Sequence, residues 1–532
     1  MTAQDVSHGR PTAIVIGAGF AGLATAALLG REGYAVTVFD RLNIFGGRSG
    51  DLTIDGFRFD TGPSWYLMPE AFDHFFELCG TRTQDVLDLV DLNPGYRLFP
   101  EGAQPIDVPS NREEAIELFE SIEPGAGETL ARYLDSAEET YRLAVDYFLY
   151  TTFSSPAAFF APAVRRNYSK LAEYLTRSLE KYVARRFKDT RLRQMLSYPA
   201  VFLSSDPAQT PSIYHLMSHT DLSQGVKYPQ GGFTAVVNAI ANLAIAHGAE
   251  IELNTAVTAI NTEGRHVTGV TVRRANGDVE KHEAEIVVSA ADLKFTETHL
   301  LPREKRTYDE RYFADRNPGL GTVLVMLGIK GELPQLEHHN LLFSEDWSDD
   351  FGAVFHGPVP TRPDGASQSM YISKPSQTDP STAPAGHENL FILVPTPADA
   401  DLGHGDAYHE QSSPAVEAIA DAAIEQIAGW CGIPDLAERI IVRRTLGPAD
   451  FAERYHAWSG GAIGPAHTLR QSAFLRGRNA SRKLDNLFYA GATTVPGVGV
   501  PMCLISAENV IKRLRGDVSA GPLRIDDTPP TP

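Results

Sequence analysis

The stretch from Thr12 to Asp40, TAIVIGAGFAGLATAALLGREGYAVTVFD, constrains the fold more than any other part of the chain. A hydrophobic strand runs into Gly17, Gly19 and Gly22, spaced G-x-G-x-x-G, and these open an apolar helix. A second strand, Ala35–Phe39, follows and ends in Asp40. Together these parts make a complete dinucleotide-binding βαβ unit. Gly17 permits the tight turn, Gly19 lets backbone approach a pyrophosphate, and Gly22 lets the helix pack close to the sheet. Phe20 and Ala21 lie in the first helical turn, where free N–H groups and the positive end of the helix dipole face phosphate. Asp40 suits the hydroxyls of an adenosine ribose and disfavours a 2′-phosphate, which argues against NADP. An ADP-containing cofactor follows from these residues; the reaction it performs does not.

At 532 residues the chain has room for two or more domains. Its net charge of -20 argues against nucleic-acid binding and against a purely electrostatic hold on anionic lipid. Cys79, Cys431 and Cys503 are odd in number and far apart, so no disulfide framework is expected, which fits a reducing cytoplasm. Met1–Arg10 is polar and reads as no signal peptide. No run of about twenty apolar residues marks a transmembrane helix.

Beyond Asp40 come Arg41 and Gly46-Gly47-Arg48, then two short strands near Leu52–Ile54 and Phe57–Asp60, then Gly62-Pro63-Ser64-Trp65. Residues 111–200 have helical periodicity, and Pro211 heads a helix over Ser212–Thr220. An α/β texture returns near residue 225: a helix over Phe233–His247, a strand at Glu250–Leu253, a hairpin from Ala256–Asn261 and Val267–Arg274, and a buried strand at Ile286–Ala290. Strands are expected at 320–330 and 390–395 and a helix at 414–429. A strand at Leu487–Ala490 meets Gly491, and a helix covers Pro501–Leu514. The predicted fold is α/β: a Rossmann-type cofactor domain from the discontinuous segments 1–100, 225–299 and 451–515, with a mixed α+β substrate domain from 101–224 and 300–450. The Pro/Asp-rich tail, 516–532, reads as disordered.

The N-terminal fingerprint, Gly46-Gly47-Arg48, FRFDTGPSW (57–65), QTPSIYHLM (209–217), GVKYPQGG (225–232) and LFYAGATTVPGVGVPMCLISAENV (487–510) are similar to the bacterial-type phytoene desaturases of the carotenoid-desaturase and FAD-dependent amine-oxidase superfamily. The resemblance covers essentially the whole chain. It implies FAD, with Gly46, Gly47 and Arg48 along the diphosphate and ribityl chain, Arg41 beside them, and Val257 meeting the adenine through its backbone. Gly62 and Pro63 would lie near the isoalloxazine. Gly491, Val500 and Pro501 would bring a strand end and a helix N-terminus to the flavin pyrimidine ring, where reduced flavin is negative. Asp40 stands where a longer Glu is commoner in the family.

The resemblance further implies an apolar C40 polyene substrate, with 15-cis-phytoene desaturated toward lycopene by hydride transfer to flavin N5 and loss of a proton. With no second nucleotide fingerprint after a strand, oxygen or a quinone is the expected electron acceptor. Other polyene enzymes stay open: a C30 or later-step carotenoid desaturase, or a carotenoid isomerase. So does a non-catalytic prenyl-binding protein of the GDP-dissociation-inhibitor type. An amine oxidase fits less well, since Ala-Thr-Thr-Val-Pro after Gly491 offers no aromatic to cage an amine.

No convergent cluster of acid–base residues is visible. Asp146 and Arg142, in the aromatic run YRLAVDYFLY, are catalytic candidates, with a solvated helix face as the plainer reading. His215 and His219 have the i, i+4 spacing of metal ligands but no third ligand nearby, so no metal is expected. Tyr147–Val164 is aromatic, uncharged, broken by Pro156 and Pro162 and followed by Arg165, Arg166 and Lys170. It reads as a peripheral membrane contact or as a buried lid.

Overall fold

Apolar strands covered on both faces build the central layer. The computed structural model describes residues 9–356 and 365–527. Five parallel strands, β1 (Thr12–Ile16), β2 (Ala35–Phe39), β3 (Glu250–Glu252), β4 (Ile286–Ser289) and β5 (Leu487–Tyr489), pair in the order β5-β4-β1-β2-β3. The register sets Thr12 opposite Ala35 and Ile16 opposite Phe39, with Ala13 opposite Ile286 on the other side. Three distant stretches of chain thus share one sheet, as expected.

One face is covered by α1 (Phe20–Arg31), α2 (Gly232–Ala246) and α3 (Val500–Arg515). Every residue of α1 is buried, because α2 and α3 flank it. The other face carries an antiparallel meander, Thr255–Glu263, His266–Arg274 and Val279–Glu283. Val257, Val270 and Val272 share a core there with Ile14, Ile16 and Val287. The first two strands are the expected hairpin; the third, VEKHE, alternates half-buried and exposed and was not expected.

A second, seven-stranded sheet is mixed. Leu320–Lys330 lies between Ile440–Leu446 and His387–Pro397, and the order continues through Met370–Ser373, His339–Phe343, Tyr96–Pro100 and Ile106–Val108. Pro414–Trp430 packs on one face of it through Val416, Ile419, Ala423 and Ile427. The other face meets the helical region, where Tyr96, Phe119, Tyr133, Tyr182 and Phe187 share a core with Phe57 and Phe59. The helical reading of 111–200 holds over Arg112–Ile122, Ala126–Ala144 and a series of shorter helices. After Pro211 a 3₁₀ turn, Ser212–Leu216, precedes the α-helix Met217–Leu222.

Three expectations need correction. Tyr96–Pro100, assigned to the cofactor segment 1–100, pairs in parallel with His339–Phe343 of the second sheet. Phe451, at the start of 451–515, packs in the core of the helical region. The tail is not disordered from Gly516: Leu523 is buried, its N–H donates to Glu508 Oε1 at 2.6 Å, and Lys512 Nζ donates to the carbonyls of Ser519 and Gly521. An apolar side chain inside a Pro/Asp-rich segment found a groove beside α3. Residues 528–532 of that tail lie outside the described residues.

Candidate cofactor and active site

Bare backbone forms the floor of the N-terminal site. Gly17 turns off β1 with φ +100° and donates its N–H to Phe39 O at 2.8 Å. Gly19 caps α1, and among the described residues no side chain satisfies the helix's first N–H groups. Gly46 N donates to Ala18 O at 2.9 Å, and Gly19 and Gly46 pair as a short parallel bridge. A Cβ on Gly47 would stand 3.3 Å from Gly19 Cα, and one on Gly19 would stand 3.7 Å from Gly46 O. This is a cradle that side chains would fill, beside helix N–H groups left for an anion. Gly22 has a different duty: a Cβ there would overlap the carbonyl oxygen of Gly17, so it protects the turn itself. A Cβ on Gly62 would likewise overlap Arg48 O.

Asp40 is braced by the same turn. Its Oδ2 accepts from Ala18 N at 2.7 Å and its Oδ1 from Leu42 N at 2.8 Å. Burial pushes its carboxyl up, against the pull of those two bonds. Each oxygen retains acceptor capacity for a hydroxyl. Arg41 reaches the other way: its Nη1 donates to Glu453 O at 2.5 Å and lies 3.0 Å from His456 Nε2. Burial and the Arg41 charge hold His456 down at about 4. Arg48 donates to Ile463 O at 3.2 Å and pairs loosely, at 3.9 Å, with buried Asp292.

The opposite end of the chain closes this cradle. A Cβ on Gly491, which has φ +110°, would stand 3.5 Å from Ala21 Cβ in α1. Gly491 N donates to Ser506 Oγ in α3 at 3.0 Å. Gly499 caps α3, Pro501 lies in its first turn, and again no side chain caps the helix. Gly491 thus sets the strand end leading to α3 against the first turn of α1, and an elongated diphosphate with an anionic ring system suits two glycine-capped helix starts. The residues present fit FAD.

A scaffold that sequence reasoning missed holds the loop between them. His467 is buried; its Nε2 accepts from Val498 N at 3.1 Å, and its Nδ1 lies 2.7 Å from Tyr214 Oη. Burial and the nearby Arg476 charge keep its ring neutral. A Cβ on Gly497 would run into that ring. Arg476, 4% exposed, donates to the carbonyls of Ala492, Thr494, Pro465 and Gln471. Asn479 Nδ2 donates to Tyr489 O and Val495 O at 3.2 and 3.0 Å. The available signal was the string Arg476-Gly477-Arg478-Asn479 just ahead of β5, too polar for its position unless buried and bonded.

Next to Gly62 and Pro63, Trp65 stacks on His339 at 4.5 Å and lies 5.3 Å from Phe202 and 6.1 Å from Tyr198. Tyr198 Oη donates to Asp221 Oδ2 at 2.8 Å. Asp221 Oδ1, Trp65 Nε1 and Tyr96 Oη are buried with no hydrogen-bond partner among the described residues. Desolvation pushes the Asp221 carboxyl up to about 7, so this apolar shell encloses a group that exchanges a proton near neutrality. Its acid and tyrosines are spread over residues 96–221, which hides the cluster from a linear reading.

Asp146 and Arg142 do not join these groups. Both are exposed and line an open surface groove with Asp135, Glu138, Glu139 and Arg166; the Arg142 guanidinium pairs with Glu138. Their position is that of the solvated helix face. His215 is fully buried between Ser136 Oγ and Ser212 O, at 2.9 and 2.8 Å, and burial lowers it to about 4. Tyr147–Val164 divides in two. Tyr150–Thr152 is buried against α3, where Lys512 Nζ donates to Tyr150 O, whereas Phe160 is 66% exposed. Among the described residues no helix is long and apolar enough to cross a membrane.

The family described as flavin containing amine oxidoreductase matches residues 20–513. A carotenoid 3,4-desaturase of Haloarcula japonica is 38% identical over 506 residues, covering 95% of this chain and 98% of that one. A zeta-carotene-forming phytoene desaturase of Myxococcus xanthus is 32% identical over 94% of this chain and 93% of its own. Among solved structures, putrescine oxidase bound to putrescine aligns with a TM-score of 0.58 at 17% identity, over 95% of this chain and 98% of that one, a likeness of fold. The glycine cradle, the two uncapped helices and this full-length similarity agree. The chain belongs to the flavin-containing amine oxidoreductases, among their carotenoid desaturases, and is an FAD-dependent oxidoreductase.

Proposed function

We propose that the chain introduces carbon–carbon double bonds into a C40 polyene, first of all 15-cis-phytoene on the way to lycopene. Near full-length similarity to carotenoid desaturases carries this reading. FAD, when bound, accepts the hydride that such a reaction removes. The chain's part is to hold and orient. In this reading the first N–H groups of α1 and the backbone of Gly17, Gly19, Gly46 and Gly47 hold the diphosphate. Asp40 holds the ribose, with Arg41 nearby, and Val257 meets the adenine. Arg48, Gly62, Pro63 and Gly491 border the ribityl and ring end, where Val500 and Pro501 aim the dipole of α3 at the pyrimidine. The aromatic shell around Trp65 suits a substrate with no polar handle and keeps water from the reacting carbons.

A second reading has its own support. The 3,4-desaturase is 38% identical, against 32% for the phytoene desaturase and 29% for the 4,4'-diapophytoene desaturase of Staphylococcus aureus. That difference favours a later carotenoid, already conjugated, as substrate. Expression in one bacterium that accumulates phytoene and another that accumulates lycopene separates the two. New conjugation only in the first supports the phytoene reading, new conjugation only in the second supports the later step, and unchanged pigment in both defeats the desaturase proposal.

The route for such a substrate runs through a lipid surface. Phe160, Phe474 and Leu475 are exposed, and Phe159 and Phe153 lie 6.0 and 6.3 Å from Phe474. This apolar tip joins two distant segments, flanked by exposed Arg165, Arg166 and Arg470. It is the shape of a peripheral membrane contact in the cytoplasm. Oxygen or a quinone is the proposed electron acceptor, since the chain has no second nucleotide fingerprint.

A further inference from the structure

A buried guanidinium stands behind the redox end of the site with no carboxylate, among the described residues, paired to it. Arg476 Nε donates to Thr494 O at 3.1 Å, Nη2 to Ala492 O at 2.6 Å, and Nη1 to Pro465 O and Gln471 O at 3.1 and 3.2 Å. All four acceptors are backbone carbonyls, dipoles that solvate the charge without neutralising it. Asp292 lines the same small cavity, but it is committed elsewhere: Oδ1 caps Lys294 N and Phe295 N, and Oδ2 faces Trp458 N and Arg48. The cavity, about 20 Å³, has room for about one water. Among the described residues, then, no acid is hydrogen-bonded to this cation.

Such a charge is costly in a protein interior unless a negative partner is present in the working state. Ala492 and Thr494 directly follow Gly491, and the Arg476 charge reaches Cys503 in the first turn of α3. These are the elements assigned to the flavin pyrimidine, the part of the ring system that becomes negative on two-electron reduction. We propose that Arg476 is a positioning residue whose fixed positive charge, locked to the Ala492 and Thr494 carbonyls, raises the reduction potential of the bound flavin. The inference rests on the FAD reading of the Gly491–Pro501 block. Burial brings the guanidinium down to about 10, which leaves it charged at neutral pH. A reduced flavin is then stabilised by a charge already in place, with no reorganisation needed at the moment of transfer.

The test is a potentiometric titration of the purified FAD-bound protein against reference dyes at pH 6, for wild type, Arg476→Gln and Arg476→Lys. Arg476→Gln is expected to shift the two-electron equilibrium at least tenfold toward oxidised flavin, ~30 mV. Arg476→Lys, which keeps charge but not the fork geometry, is expected to recover most of that shift. An unshifted Gln variant overturns the proposal, and so do Gln and Lys variants shifted equally, since that marks a purely structural role. If the Gln variant does not fold, the Lys variant is titrated from pH 6 to 9. A buried lysine loses its proton in this range, so its potential is expected to fall more steeply with pH than that of wild type; parallel lines overturn the proposal. Wild-type protein that cannot be loaded with FAD defeats the underlying cofactor reading instead, and is recognised by its missing flavin absorbance.

Discussion

His467 Nδ1 lies 2.7 Å from the hydroxyl of Tyr214, while its Nε2 accepts the N–H of Val498 at 3.1 Å. The neutral ring therefore carries its proton on Nδ1 and donates it to Tyr214, which passes its own hydrogen to Ser472 Oγ at 3.0 Å. One buried relay ties the 209–217 block to the 487–510 block, two stretches that looked independent in the sequence.

Tyr214→Phe breaks this relay at one atom. The Nδ1–H of His467 is left unpaired in the interior, a loss of ~1–3 kcal/mol. Gly497 and Val498 lead into α3, so FAD is expected to bind more weakly as well as the fold to melt earlier. Thermal unfolding with and without added FAD, and fluorescence titration of the cofactor, read the two effects separately.

Gly19 and Gly22 are expected to fail in different ways. Gly19→Ala meets no atom closer than 3.7 Å in the protein itself, so the cofactor-free fold should keep its melting temperature while the FAD-to-protein ratio drops. Gly22→Ala drives a Cβ into the Gly17 carbonyl and should destabilise the cofactor-free protein too, by ~1–3 kcal/mol as for other overpacked sites.

Asp221 gives a pH signature. Burial pushes its folded carboxyl up to about 7 from an ordinary 3.8. Between those values the folded state keeps a proton that the unfolded state has lost. Its contribution to stability is thus fully present below 3.8 and is lost as pH rises to about 7, at ~1.4 kcal/mol per unit. Asp221→Asn removes the titration. The variant should gain melting temperature relative to wild type from pH 5 to 7 and hold that gain above pH 7.

The double change Phe160→Asp and Phe474→Asp places charges on an exposed tip, where little packing is lost. Flotation with phospholipid vesicles should fall about tenfold or more, since each aromatic withdrawn from lipid forfeits ~1.5–3 kcal/mol. The melting temperature should stay within a degree or two. Undiminished flotation would remove this surface as the membrane contact.

Local signals served the sequence reading well where one segment carries the chemistry. The βαβ unit is legible because turn, cradle and acid all lie within Gly17–Asp40. Leu320–Lys330 is legible as a strand because it is buried along nearly its whole length. The second sheet's shorter members, Tyr96–Pro100 and Ile106–Val108, were missed: each is brief, and its partner lies far away in sequence. Arg476, His467 and Asp221 were missed for a related reason. A lone arginine, histidine or aspartate looks like surface until the fold closes over it, and their partners are backbone carbonyls or side chains from other segments.

The strand order has a consequence for biosynthesis. β1 leaves the ribosome first, but its neighbour β4 comes about 270 residues later and the edge strand β5 about 470 residues later. At roughly 5–20 residues per second, the half-built sheet waits roughly half a minute to a minute and a half for its last strand. The apolar edge of β1 stands open until β4 emerges, and the edge of β4 then stands open until β5 does. Nascent chains of this architecture should depend on chaperones until β5 has emerged, and premature termination anywhere before β5 should yield aggregate rather than a partly active fragment.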